Sequence, residues 1–364
     1  MDSAPPDTSR PLALDEVARL ADQPATESQP ENVRRALATR RTMITLPSSE
    51  HLLVEQGGSV ALPEGAFVGL PLESTELHEF GSLKAPKELL SSYCPPWQPL
   101  LDYPRSAGEA SQTTLSRMNG SPVIGTADGL YGEFAPRQAY YPTGFPFVCI
   151  GKVFSYSDVS LPTWDHAAVG FLVGPRTVMT VSHVLPWGST NAKVQFAAGY
   201  YDGTSSVGPG AWSWATSMHG YAGQSVTAHD MAILRLSDPL GNWLGYFGSH
   251  PYDSAMQGGA YWNMAGYPSD IFSGERPSWQ GGITVRDDDE DGDGQEIEHH
   301  GDGQPGASGA PFWGRWDDHR LAIGTETGYE KVSGPLGIGG EDNNIAAGGP
   351  AFGGLVQYGR DNWP

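Results

Sequence analysis

From about Ser121 onward, apolar positions fall in short runs separated by clusters of Gly, Pro, Asn and Asp. Phe147-Val148-Cys149-Ile150, Ala168-Val169-Gly170-Phe171-Leu172-Val173, Val178-Met179-Thr180-Val181, Met231-Ala232-Ile233-Leu234-Arg235-Leu236 and Leu321-Ala322-Ile323 are such runs. Runs this short, bounded by turn formers, predict many brief strands in an all-β barrel or sandwich. The first 120 residues have another texture. They are rich in Pro, Ser, Glu and Ala, and Leu14, Val17, Ala18 and Ala21 are spaced along one helical face. The pattern predicts an irregular, partly helical and partly disordered region over 1–120, acting as a pro-segment or accessory region. A β domain is predicted over 121–364.

Composition strengthens this picture. The chain has 364 residues with 48 Gly and 30 Pro, which favours turns and short strands over long helices. Forty-two acidic and 21 basic side chains give a net charge of −21. Such a surface repels nucleic acid and anionic membranes. No stretch approaches the roughly 20 apolar residues that span a bilayer. Two cysteines, Cys94 and Cys149, are too few for a disulfide framework; one bridge and two free thiols both stay open. The opening residues, MDSAPPDTSRPLALDEVARL, lack the basic segment and apolar core of a signal peptide.

Three local patterns carry candidate chemistry. The first is a strand, a Gly-Pro turn and a second strand that ends in Val181-Ser182-His183. In the second, Ala228-His229-Asp230 opens the run Met231–Leu236. The third is Gly306-Ala307-Ser308-Gly309-Ala310-Pro311, a serine in a glycine-rich loop before another strand. A serine hydroxyl is a weak nucleophile near neutral pH and needs a neighbouring base, for which histidine titrates in the right range. The imidazolium formed during attack needs a buried carboxylate to set its tautomer and stabilise its charge. An oxyanion needs preorganised N–H donors, each contributing about 3 kcal/mol. The amides of Gly306 and Ser308 are the candidates, since Pro305 has no N–H. Alone each pattern is weak; in this order they predict a catalytic set of His183, Asp230 and Ser308.

These segments resemble the trypsin/chymotrypsin-like serine protease superfamily, and most its bacterial-type, glutamyl-endopeptidase-like branch. The resemblance rests on Val123-Ile124-Gly125 as a mature start and on the run Gly170–Thr177 as the histidine motif. It rests too on Ala265-Gly266-Tyr267-Pro268 with Trp279-Gln280-Gly281-Gly282-Ile283, and on Gly306–Pro311 as the serine motif. It implies two six-stranded antiparallel β-barrels with the active site between them. It further implies polypeptide substrates, no required cofactor, a monomer and an extracellular location.

Some positions depart from the family pattern. Ala307 replaces the Asp that pairs with a freed N-terminus in trypsin-like relatives, so any activation must work otherwise, for instance by cleavage near Ser121. Glu326 stands where glutamyl relatives carry a pocket His, and it would repel an acidic side chain. Asp302 lies at the offset of the pocket Asp of trypsin-like relatives, which predicts a preference for Arg or Lys on the acyl side of the cut bond. Asp289, Asp291 and Asp293, followed by Gly294, match the first half of a calcium loop, but position twelve is His300 rather than Glu. A calcium site there outside any EF-hand, or a merely solvated loop, are the two readings. Two other functional classes compete: a non-catalytic protease-fold binding protein, and a calcium-dependent adhesion module.

Overall fold

A computed structural model describes residues 10–55, 62–86, 89–107, 137–223, 227–331 and 342–364. Twelve strands build the core. The first six are β1 (Ile150–Tyr156), β2 (His166–Leu172), β3 (Thr177–Thr180), β4 (Lys193–Ala198), β5 (Trp212–Tyr221) and β6 (Ala232–Leu236). They pair in the order β4-β1-β2-β3-β6-β5, and pairing of β4 with β5 closes the ring. The second six are β7 (Ala260–Gly266), β8 (Ser278–Asp291), β9 (Gly294–His299), β10 (Pro311–Trp316), β11 (His319–Lys331) and β12 (Asp342–Gly348). Their order is β7-β10-β11-β12-β9-β8, closed by β7 against β8. Read as a ring, each barrel follows the same path: first, second, third, sixth, fifth, fourth. The expected pair of six-stranded antiparallel barrels, the chymotrypsin-like fold, is what the chain forms. Closure pairs the barrel edges except over the outer half of β5, where β4 does not reach.

The predicted apolar runs lie on these strands, with one exception. Phe147-Val148-Cys149 is a buried 3-10 turn that leads into β1. Cys94 and Cys149 are free thiols, which settles the open alternative. Burial pushes the Cys94 thiol up to about 11 and Cys149 well above its ordinary value, so neither is a ready thiolate.

The described part of 1–120 packs against both barrels rather than trailing from them. Helices Leu14–Val17 and Glu31–Ala38 fall inside the region predicted to be partly helical, the first of them on the face marked by Leu14 and Val17. Arg41 pairs with Asp238 of the first barrel at 2.6 Å. Asp102, almost wholly buried, pairs with Arg315 and Arg320 of the second. The strand Ser74–His78 lies parallel to the outer half of β5, on backbone that β4 leaves unpaired. A C-terminal helix, Pro350–Asn362, starts with Pro in its first turn, where a missing N–H costs nothing. It is tied down by Tyr221 Oη to Ala351 C=O at 2.9 Å and by Arg360 to the carbonyls of Val173 and Phe247. The mature-start motif Val123-Ile124-Gly125 and the expected cleavage point near Ser121 lie outside the described residues.

Candidate active site

The chain delivers His183 three residues past the end of β3, and Asp230 between a short 3-10 turn, Thr227–His229, and β6. β3 and β6 are hydrogen-bonded neighbours, so adjacent strand ends bring the two residues together. The Asp230 carboxylate is fully engaged. Its Oδ1 accepts from the backbone N–H groups of Ser182 and His183, both at 2.9 Å. Its Oδ2 accepts from His183 Nδ1 at 2.5 Å. The Thr327 hydroxyl, reaching across from β11, donates to the same Oδ2. The Asp230 side chain is 7% exposed and that of His183 44%, so the acid is shielded while the ring's far edge meets solvent. With Nδ1 donating to the carboxylate, Nε2 is left as the acceptor.

Ser308 sits in a loop shaped by turn chemistry. Gln304-Pro305-Gly306-Ala307 is closed by the Ala307 N–H to the Gln304 carbonyl at 2.9 Å, with Gly306 at φ +95°. Pro second and Gly third are the demands of a type II turn. The loop docks on the first barrel: Val169 N–H of β2 donates to Ser308 C=O at 2.7 Å, and Thr180 Oγ1 of β3 donates to Val169 C=O at 2.7 Å. Gly309, at φ +87°, permits this approach; a Cβ there would lie 2.0 Å from the Val169 carbonyl oxygen. Among the described residues, the Gly306 and Ser308 amides donate to no group of the chain. No hydrogen bond among the described residues joins the Ser308 hydroxyl to the His183 ring. Such contacts are often long in an unliganded site and tighten with substrate. A cavity of about 1000 Å³, lined by Arg41, Tyr156, Lys193, Trp212 and Trp214, includes none of His183, Asp230 and Ser308.

The two expected specificity residues have partners inside the chain. Asp302 is buried, and its carboxylate meets Arg137 Nε at 3.1 Å. Arg137 also pairs with Asp270 at 2.5 Å. A carboxylate matched in this way is not presented to a substrate cation, which corrects the reading of Asp302 as the floor of a basic-specific pocket. Glu326 is completely buried, and its Oε2 accepts from His299 Nε2 at 2.8 Å. His299 Nδ1 accepts from Gly301 N–H at 3.0 Å, and the ring stacks on Phe312 at 4.5 Å. Glu326 is therefore an interior residue rather than a repulsive wall.

The aspartate run is also not the expected loop. Asp287–Asp291 continues β8 into a hairpin with β9, placing Asp289 opposite Glu296 and Asp291 opposite Gly294. Asp289 and Asp291 lie on the paired strand and Asp293 in the turn that follows, so the run is a hairpin and not a coiled twelve-residue calcium loop. Among the described residues, Asp289, Asp291 and Asp293 do not form a cluster with ligand atoms within 4.8 Å of one another. Strand pairing claims the backbone that an EF-type calcium loop would have to coil.

Sequence reasoning missed Thr327 and His299. Thr327 had a signal, a hydroxyl next to Glu326 in the strand that follows the serine. His299 had none, because its partner lies 27 positions on and meets it only across strands.

Double barrels with a His-Asp pair on one barrel and a serine loop from the other define the chymotrypsin-like serine proteases, and this chain resembles that class. Within it, the resemblance is to the glutamyl-endopeptidase-like branch. Over 158 residues the chain is 25% identical to a glutamyl endopeptidase of Bacillus licheniformis, a stretch that is 40% of this chain and 45% of that one. The chain thus spans less than half the length of that curated relative. A solved Glu endopeptidase in complex with MPD aligns at 18% identity and a TM-score of 0.46, covering 62% of this chain and 97% of that one. A thermostable serine protease, AL20, from an extremophilic microorganism aligns at 21% and 0.44, covering 59% and 98%. No family model matches the chain.

Proposed function

We propose that the chain is a serine endopeptidase acting through an acyl-enzyme on Ser308. The observation that carries this reading is the Asp230 carboxylate, held by two backbone amides through Oδ1 and accepting from His183 Nδ1 through Oδ2, which orients the ring. A structural ion pair has no need of an exposed imidazole edge; a general base does. In the proposed reaction His183 Nε2 takes the Ser308 proton as Oγ attacks the peptide carbonyl. The Gly306 and Ser308 amides receive the oxyanion. The protonated His183 then gives its proton to the leaving amine, and water, deprotonated by His183, releases the acid.

A preference for Arg or Lys is not carried forward, because the Asp302 carboxylate is buried against Arg137. We propose that residues 1–120 serve as a retained accessory region rather than a removable pro-segment. Removal would leave Arg315 and Arg320, both buried, without the Asp102 charge, and breaking a buried pair costs about 3–5 kcal/mol. Polypeptides are the proposed partners, with the −21 charge opposing nucleic acid. A monomer with an extracellular site of action belongs to the same proposal. Among the described residues, no helix is long and apolar enough to cross a membrane.

A fluorophosphonate probe tests the reading. Wild type is expected to label, and Ser308→Ala and His183→Ala are not. An unlabelled wild type, or equal labelling of Ser308→Ala, would instead favour a non-catalytic protease-fold binding protein. A chromogenic peptide panel then reports which side chain precedes the cut.

A further inference from the structure

We propose that Glu76, His78 and His219 form a site for a zinc-class divalent cation that clamps the N-terminal strand Ser74–His78 onto the first barrel. The strand lies parallel to the end of β5, with Glu76 in register with His219 and His78 with Tyr221. Glu76 and His78 are two apart on a strand and share a face. His219 projects into the same space from the neighbouring strand.

The distances suit a bound ion. His78 Nε2 and His219 Nδ1 are 3.2 Å apart, and Glu76 Oε2 is 3.4 Å from His219 Nδ1. One ligand atom from each residue lies within 4.8 Å of the others. Ligands placed 2.0–2.1 Å from a tetrahedral zinc stand about 3.3 Å from one another. Two imidazoles and one carboxylate, with a fourth position open to water, are a common zinc donor set, and imidazole nitrogen favours zinc over calcium or magnesium.

The surroundings add a second layer. Glu76 Oε1 lies 3.4 Å from His78 Nδ1, so the same carboxylate that ligates through Oε2 can accept the far N–H of His78. Metal-bound histidines are usually oriented in this way. Tyr358 packs against both imidazoles, each at 5.1 Å between ring centroids, and Trp363 stands 5.0 Å from His219. Both aromatics belong to the C-terminal end of the chain. One ion would therefore join the N-terminal strand, β5 and a wall supplied by the C-terminal helix. The site shares no residue with His183, Asp230 or Ser308, so it stands or falls apart from the proposed peptidase activity.

The test is zinc titration of the chelator-stripped full-length chain against a competing indicator dye, with thermal melting in parallel. Wild type is expected to bind one zinc per chain at submicromolar free zinc, with a raised Tm. Cobalt in its place should give the intense visible bands of a tetrahedral site. Glu76→Ala lies on an exposed position and should fold without metal, and circular dichroism of metal-free His78→Ala, whose side chain is 9% exposed, checks that it folds as well. Each should weaken binding at least tenfold and lose the zinc-dependent rise in Tm. His183→Ala should bind as wild type does. The proposal is overturned if no stoichiometric zinc binds, if Glu76→Ala and His78→Ala bind as tightly as wild type, or if binding disappears in His183→Ala instead.

Discussion

Replacing Asp230 by Asn tests how firmly the structure dictates the tautomer of His183. The side-chain oxygen and nitrogen of an Asn could in principle occupy either carboxylate position. Oδ1 accepts two backbone amides, from Ser182 and His183. Turning the amide nitrogen toward them would forfeit two hydrogen bonds and strand two N–H groups, at about 1–3 kcal/mol each. The Asn is therefore held with its oxygen on the backbone amides and its NH2 facing His183 Nδ1. That nitrogen must then accept, and the ring proton moves to Nε2, where it prevents uptake of the Ser308 proton. In Ser-His-Asp enzymes this tautomer error lowers kcat by about 10⁴, or about 5.5 kcal/mol at 1.36 kcal/mol per tenfold. The measurement is kcat on a cleaved chromogenic peptide at neutral pH, with melting followed by circular dichroism. A loss below about tenfold, in a variant that melts like wild type, would refute the argument from hydrogen-bond accounting.

Two further substitutions probe how the site is built. Gly309→Ala sets a Cβ 2.0 Å from the Val169 carbonyl oxygen at φ +87°. Backbone strain alone costs about 1–3 kcal/mol, so a lower urea midpoint and slower fluorophosphonate labelling are expected; an unchanged midpoint and rate would contradict the docking of the serine loop on β2. His299→Ala removes the hydrogen-bond donor of the buried Glu326 and is expected to destabilise the fold by about 3–5 kcal/mol in denaturant. Adding Glu326→Ala should recover part of that loss, and no recovery would mean that the stacking of His299 on Phe312, not the pairing, holds the interior together.

The sequence by itself determined the fold class and nominated the three residues of the candidate site. Both were legible because they are written locally: strands announce themselves by short apolar runs between turn formers, and Pro305-Gly306 prescribes a type II turn with no help from distant residues. Tertiary structure decided the charges. Asp302, Glu326 and the aspartate run were each assigned a role from residue type and offset. What they do depends on Arg137, His299 and Glu296, which lie far from them along the chain or across a strand pair. An ionised group is defined by whatever stands within a few ångströms of it, and pairing across a barrel is invisible to any window of sequence. The N-terminal region illustrates the same limit. Its composition reads as loosely structured, yet Arg41 and Asp102 anchor it to both barrels, and its strand Ser74–His78 completes the free edge of β5. Only that pairing sets Glu76 and His78 beside His219.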